Sequence, residues 1–274
     1  MKIKYMIMLF AALVSAFLMG ALPPITLVVS GNNNLTGYIP IPIFSIVIVL
    51  LFLGICDVFF KENWSFDIKN WKNYKIEIII LLIPVIITVV LNIITSDSLK
   101  EIFTEMPMGQ LSIAVIFSLI GALFVGIVEE VLTRGGILTS ITELLPNSKY
   151  KVLLSSFISG ILFGILHLFN IMNDSQLVYT LFQVAYTSAI GFCFAIVYFI
   201  TGSLAYTIIA HTLIDWSDFF FNMTGEPNID YMWYIPVILV LSFLISGILL
   251  YRRYIIHFNK EDGETKNSIT KRTQ

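Results

Sequence analysis

The chain has 274 residues, 57% of them hydrophobic and 12% charged, with a formal net charge of -2 and a mean hydropathy of +0.88. Soluble globular domains run nearer ~45 to 50% apolar and ~25% charged, so these values exclude one and describe a polytopic membrane protein. With no basic patch or basic-aromatic stripe outside the loops, they also leave out nucleic acid as a partner.

Apolar runs of roughly spanning length fall at about 5–29, 39–60, 76–95, 110–133, 152–170, 177–200, 203–222 and 232–251, and ~20 helical residues cross a hydrocarbon core. The expected fold is all-α: a bundle of eight transmembrane helices forming one domain over residues 1–258. The first run follows Met1-Lys-Ile-Lys as the h-region of a signal peptide would. It is longer than the usual ~7 to 15 residues, so it reads as a retained span. Pro23-Pro24, Pro84 and Pro236 lie inside runs and are expected to kink them, with neighbouring helices satisfying the freed carbonyls.

Charge sets the orientation. Lys2 and Lys4 precede the first span; Lys61, Lys69, Lys72 and Lys75 lie between the second and third; Arg134, Lys149 and Lys151 lie between the fourth and fifth. Arg252, Arg253, Lys260, Lys266, Lys271 and Arg272 follow the eighth, whereas the alternate loops at 31–37, 170–176 and 224–230 hold no Lys or Arg. Only Lys100 breaks the alternation. By the positive-inside rule both termini face the cytoplasm, as in a multi-pass protein of the cell membrane. Residues 61–75 carry Trp64, Trp71 and Tyr74 among lysines, as a segment lying on the headgroups would. Residues 135–148 keep a helical apolar spacing that either extends the fourth span or lies in the interface. The polar tail 259–274 reads as disordered. Cys56 and Cys193 sit in apolar runs, where a free cysteine behaves as a small hydrophobe.

Chemistry enters at Val128-Glu129-Glu130-Val131-Leu132-Thr133-Arg134-Gly135. From Leu111 to Val128 there is no formal charge, and then two carboxylates and a guanidinium arrive within six positions. A charge at bilayer depth costs ~2.5 to 3.5 kcal/mol on insertion scales, so such residues mark functional sites. Glu130 and Arg134 are i and i+4 on one helical face and can pair, while Glu129 points ~100° away. One acid held by an arginine beside one left unpaired divides two carboxylates between two roles, a fixed charge and a proton acceptor. Two of the three histidines, His167 and His211, also fall in apolar runs, with Asp215 at i+4 from His211 and Asp218 on the same side one turn on. Taken singly, each cluster has a structural reading: an interfacial Glu-Arg pair, a histidine at a helix end, a bonded His-Asp pair. Their joint occurrence on three spans favours one shared buried site.

Glu-Glu-x-x-x-Arg, Phe-x-x-x-His (Phe163 to His167) and His-x-x-x-Asp (His211 to Asp215) on three motif spans at about 110–134, 152–170 and 203–222 resemble the CPBP family. These are the CAAX prenyl protease 2 and bacteriocin-processing intramembrane endopeptidases, also called Abi. The resemblance covers Glu129 to Asp215. It implies that Glu129 acts as general base on water with help from His167, that His211 and Asp215 hold the oxyanion, and that Glu130 and Arg134 brace the site. Two positions depart from the pattern. Thr133 stands where many members carry an aromatic, and Asp215 stands where Asn would donate outright; Asp215 is best read as orienting His211.

Glu129, His167 and His211 also make a chemically reasonable three-ligand zinc set with one position for water. No His-Glu-x-x-His or Cys-rich set is present, which puts metal-independent water activation ahead. The expected substrate is a membrane-associated peptide or protein. The alternative is a non-catalytic bacteriocin immunity or scaffold protein of the same fold; a proton-relay transporter would need matching interrupted halves, and none is found. One geometric condition follows from ~1.5 Å of rise per residue: counted from Lys151, His167 lies ~24 Å along its span. It meets Glu129 only if the fourth span runs on past Gly136 or the fifth begins outside the bilayer.

Overall fold

The computed structural model describes residues 2–21, 25–32, 36–57, 64–68, 71–96, 99–173, 177–224 and 233–272. The fold is an all-α membrane bundle carrying one β-hairpin. In chain order the elements are α1 (Lys2–Ala21), β1 (Ile25–Ser30), β2 (Thr36–Ile41), α2 (Ile43–Ile55), a 3-10 turn (Trp71–Tyr74), α3 (Lys75–Thr95) and α4 (Leu99–Glu105). Then come α5 (Met108–Glu130), a π-helical segment (Val131–Leu138), α6 (Thr139–Leu144), α7 (Lys151–Leu166), a 3-10 segment (His167–Asn173), α8 (Leu177–Thr201), α9 (Ala205–Phe221) and α10 (Tyr234–Arg272).

Among the described residues six helical stretches are long and apolar enough to cross a membrane; the other two of the eight expected spans, α2 and α9, are helical but shorter, at 13 and 17 residues. Hydropathy cannot separate a strand from a helix within one apolar run. The first expected span ends as helix at Ala21, and Ile25–Ser30 pairs antiparallel with Thr36–Ile41 instead. The sequence Ile-Thr-Leu-Val-Val-Ser is rich in β-branched side chains, which suit a pleated strand better than a helix. The second expected span loses its beginning to β2 and keeps 13 helical residues in α2, ~20 Å of rise against a core of ~30 Å. The expected kink at Pro23-Pro24 lies outside the described residues. Pro84 is inside α3 as expected. Pro236 kinks nothing, because α10 begins at Tyr234 and a first-turn proline removes only an N–H that has no helical partner. The final helix extends to Arg272, where composition favours disorder; a helix bonds its own backbone without needing a tertiary partner.

Lipid explains the exposed surface. On α3, Ile79, Ile83, Ile86, Val90 and Ile94 form an exposed stripe while Leu81 and Val85 are buried, a pattern that would be an aggregation hazard in water. Without a hydrophobic drive between helices, close packing depends on small residues. At the α7–α8 crossing a Cβ on Gly160 would lie 2.7 Å from the backbone nitrogen of Phe192 and 2.8 Å from the carbonyl of Ser188. Gly160→Ala is therefore expected to cost ~1 to 3 kcal/mol by overpacking against backbone that cannot yield, read as a lower melting temperature in detergent. Near the start of α3, buried Glu77 accepts from Nε of Arg253 at 2.5 Å, tying α3 to α10.

The condition on the fourth span is met by continuation. Helix runs from Met108 to Leu144 without a break, passing through the π segment, where the Thr139 N–H bonds the Arg134 carbonyl five residues back. π segments are rare and concentrate at functional sites. Gly135 and Gly136 let neighbours close on this one. A Cβ at Gly135 would meet the Trp64 ring at 2.9 Å, and one at Gly136 would meet Ala12 at 2.7 Å and Phe52 at 2.9 Å. Trp64, read from sequence as a headgroup anchor, thus packs on the motif helix and stacks on Phe52.

Candidate active site

The three motif helices converge because α5 lies along α9 and the π segment reaches α7 and α8. Gly126, one turn before Glu130, permits the α5–α9 approach: a Cβ there would lie 3.0 Å from Thr212 Oγ1 and 3.3 Å from the Ile208 carbonyl. The next turns of the two helices carry Glu129, Glu130 and His211.

Glu130 and Arg134 are the innermost pair. Their side chains are 0% and 1% exposed and meet at 3.0 Å. The same Glu130 Oε1 lies 2.9 Å from His211 Nδ1. A carboxylate accepts, so Nδ1 carries the proton and Nε2 is turned toward the cavity. There it faces Glu129 Oε2 at 3.6 Å and Asp215 Oδ2 at 3.5 Å, and neither of those buried oxygens has a hydrogen-bond partner among the described residues. Glu130, not Asp215, therefore makes the short bond that orients His211. The i, i+4 spacing of His211 and Asp215 suggested the pairing, but the closer acceptor comes from another helix.

His167 caps α7 and opens the following 3-10 segment. Its Nδ1 donates to the Phe163 carbonyl at 2.9 Å, and a carbonyl only accepts, so in the neutral ring Nε2 keeps a lone pair. Arg134 is held by several neighbours: its guanidinium lies 5.0 Å from the Phe163 ring centroid and 5.3 Å from that of Phe194, it donates to Thr133 Oγ1, and Nη2 reaches the Gly191 carbonyl at 3.4 Å, while the buried Nε has no hydrogen-bond partner among the described residues. Thr133 in turn donates to the Glu129 carbonyl at 2.6 Å. Thr133, a position that departs from the pattern of the resemblance, thus couples the guanidinium to the backbone at Glu129. The rings of Phe163 and Phe194 also stand edge-on to His211, with centroids 5.9 and 6.0 Å away. Phe194 had no sequence signal, being one aromatic among many in an apolar run.

Glu129, His167, His211 and Asp215 line one cavity of about 410 Å³, together with Thr133 and Phe163. Glu130 and Arg134 are not in that lining; they lie behind it. The opposite wall carries polar groups that sequence reading left aside, among them Gln183, Tyr186 and Asn170, the last donating to Gln183 Oε1 at 2.8 Å. Asn92 bonds Ser217 across from α3 at 2.8 Å, and Asp218 accepts from Asn222 at 2.8 Å.

Residues 111–217, from α5 to the middle of α9, match the family model described as type II CAAX prenyl endopeptidase, Rce1-like. The motif-bearing segment is thus similar to that family. No curated protein matches the chain. The Rce1-like match supports CAAX-type intramembrane protease activity in general, and the unpartnered carboxylates around a fixed imidazole are chemically suited to it. A zinc ion held by Glu129, His167 and His211 does not fit this Rce1-like site as built. Among the described residues no group of three or more His, Cys, Asp or Glu side chains is placed to hold a metal ion; the Nδ1 bonds of His167 and His211 do not decide the matter, since each leaves Nε2 facing away from its protein acceptor.

Proposed function

We propose that this protein is an endopeptidase of the cell membrane that hydrolyses a peptide bond of a membrane-associated peptide or protein, using water activated by Glu129 and His167. The observation that carries the reading is the division of the four charged groups. Glu130 and Arg134 are sealed behind the cavity and lock His211, while Glu129 and Asp215 hold unpartnered oxygens toward it. Glu129, aided by the Nε2 lone pair of His167, takes a proton from water as the oxygen attacks the scissile carbonyl. With its second ring nitrogen also protonated, His211 donates the Nε2–H to the oxyanion that forms, and Asp215 beside it balances the imidazolium charge. The proton on Glu129 then passes to the departing amine, and the acyl half leaves as a carboxylic acid.

The test is cleavage of membrane-anchored peptides in liposomes by wild type and His211→Asn, with thermal melting run on both. Loss of one oxyanion donor predicts a fall of ~10² to 10³ in rate with the fold kept. Because no step is routed through a metal, excess chelator is expected to leave cutting unchanged. Cutting abolished by chelator and restored by zinc would return Glu129, His167 and His211 to a ligand role. Folded protein that cuts nothing yet protects cells from a bacteriocin would favour the immunity reading.

A further inference from the structure

The hairpin presents an unfinished sheet at the rim of the cavity. Its register pairs Val28 with Tyr38, Thr26 with Pro40 and Ser30 with Thr36. The Tyr38 N–H points away from β1, donating to the Met223 carbonyl at 2.8 Å. In an antiparallel pair, residues directly opposite either both bond across the ladder or both point outward. Val28 therefore points outward on its own side, and so, two residues either way, do Thr26 and Ser30. Proline at position 40 agrees, since a ladder position facing β1 would need its N–H. The outer edge of β1 thus offers the N–H and C=O groups of Thr26, Val28 and Ser30, all three residues being exposed. No backbone partner for them occurs among the described residues. The next outward N–H, that of Asn32, is taken by the Glu105 carbonyl at 2.8 Å, which closes the far end of the edge and leaves the near end open.

That near end adjoins residues of the site, while no residue of β1 itself lines the cavity. Ala16, Met19 and Gly20, at the end of α1, line the catalytic cavity, as do Pro40 and Pro42 at the end of β2. β1 begins between them in the chain, with Ile25 opposite Ile41. An open strand edge is a template for another extended chain, and in a membrane protein an unmet backbone group is costlier than in water. We infer that the substrate docks on β1 as an added strand, its main chain bonded to Thr26, Val28 and Ser30, and is led along that edge into the cavity. The occupant is the extended peptide itself, held by backbone bonds that read no particular side chain. The inference rests on the endopeptidase reading for the identity of that peptide.

Two sets of changes test it, one on each partner. A cleavable membrane peptide is prepared with single N-methyl amides stepped along the side that approaches the scissile bond. Strand addition predicts KM raised about tenfold at every second position with kcat unchanged, because only alternate amides face β1. On the protein, Val28→Pro deletes an outward donor without removing a bond to β2 and is expected to raise KM similarly; if that variant does not fold, the N-methyl series alone decides. A photo-reactive side chain replacing Val28 in a Glu129→Gln background reports docking without cleavage. Peptide that is cut but shows no two-residue period and no labelling at position 28 overturns the docking. Labelling that unmodified peptide competes away, in a protein whose wild type cuts nothing, keeps the docking and overturns the endopeptidase reading instead. Neither labelling nor cutting overturns both.

Discussion

Glu129→Gln is expected to lower the rate of peptide cleavage by ~10² to 10⁴, the range of a positioned general base, with KM and melting temperature close to wild type. The reasoning combines two facts about one side chain. Its Oε2 is buried without a hydrogen-bond partner, so no native bond is lost when the carboxylate becomes an amide. The side chain is nonetheless 25% exposed and lines the cavity, so water and substrate can reach it. Glutamine has the shape of the native residue but cannot accept a proton near neutral pH. The comparison with Glu130→Gln sharpens the result. That substitution weakens the contacts to both Arg134 and His211, so it is expected to lower activity and stability together. Equal loss of stability in the two variants would sink the separation of roles between neighbouring glutamates.

Arg134→Met is expected to destabilise the bundle by ~3 to 5 kcal/mol, because it removes the buried guanidinium paired with Glu130 and leaves that carboxylate with the His211 contact alone. Glu130 is 0% exposed. Methionine keeps the apolar contacts with Phe163 and Phe194 but not the charge. Arg134→Lys is not a gentle change either: an ammonium cannot lie flat against two rings while reaching Glu130, Thr133 and the Gly191 carbonyl. The double variant Glu130→Leu/Arg134→Met is expected to recover a large part of the stability, since exchanging both members of a buried pair for apolar groups is often neutral. It is not expected to recover activity, because His211 Nδ1 loses its acceptor. Chemical unfolding in micelles gives the stabilities and the liposome assay gives the rates. An Arg134→Met protein as stable as wild type would show that the pair is not sealed from water.

Glu129, Glu130, Arg134, His167, His211 and Asp215 were legible in the sequence because charge is rare in apolar runs and helical spacing is short-range. The pair Glu130–Arg134 forms as its i, i+4 interval requires. The orienting of His211 was read as Asp215's alone for the same reason: the interval to Asp215 is visible along one helix, whereas the shorter, 2.9 Å bond to Glu130 is made between two. Phe194, Gln183 and Asn92 stayed hidden because nothing in a run of ordinary residues tells which face meets a cavity. On the fold, hydropathy found the long helices but merged a hairpin into two of them, since it records that residues are apolar and not how their backbone bonds.

By itself the sequence determined that this is a membrane bundle and which few ionisable groups it carries into it, because both follow from the cost of moving polar atoms out of water and are paid residue by residue. Only the tertiary structure decided which groups share the cavity, which are sealed behind it, and that the chain turns from helix to strand at its rim. Those outcomes depend on how closely helices approach at Gly126 and Gly160 and on a π segment that carries α5 onward, and such contacts join residues far apart in the chain.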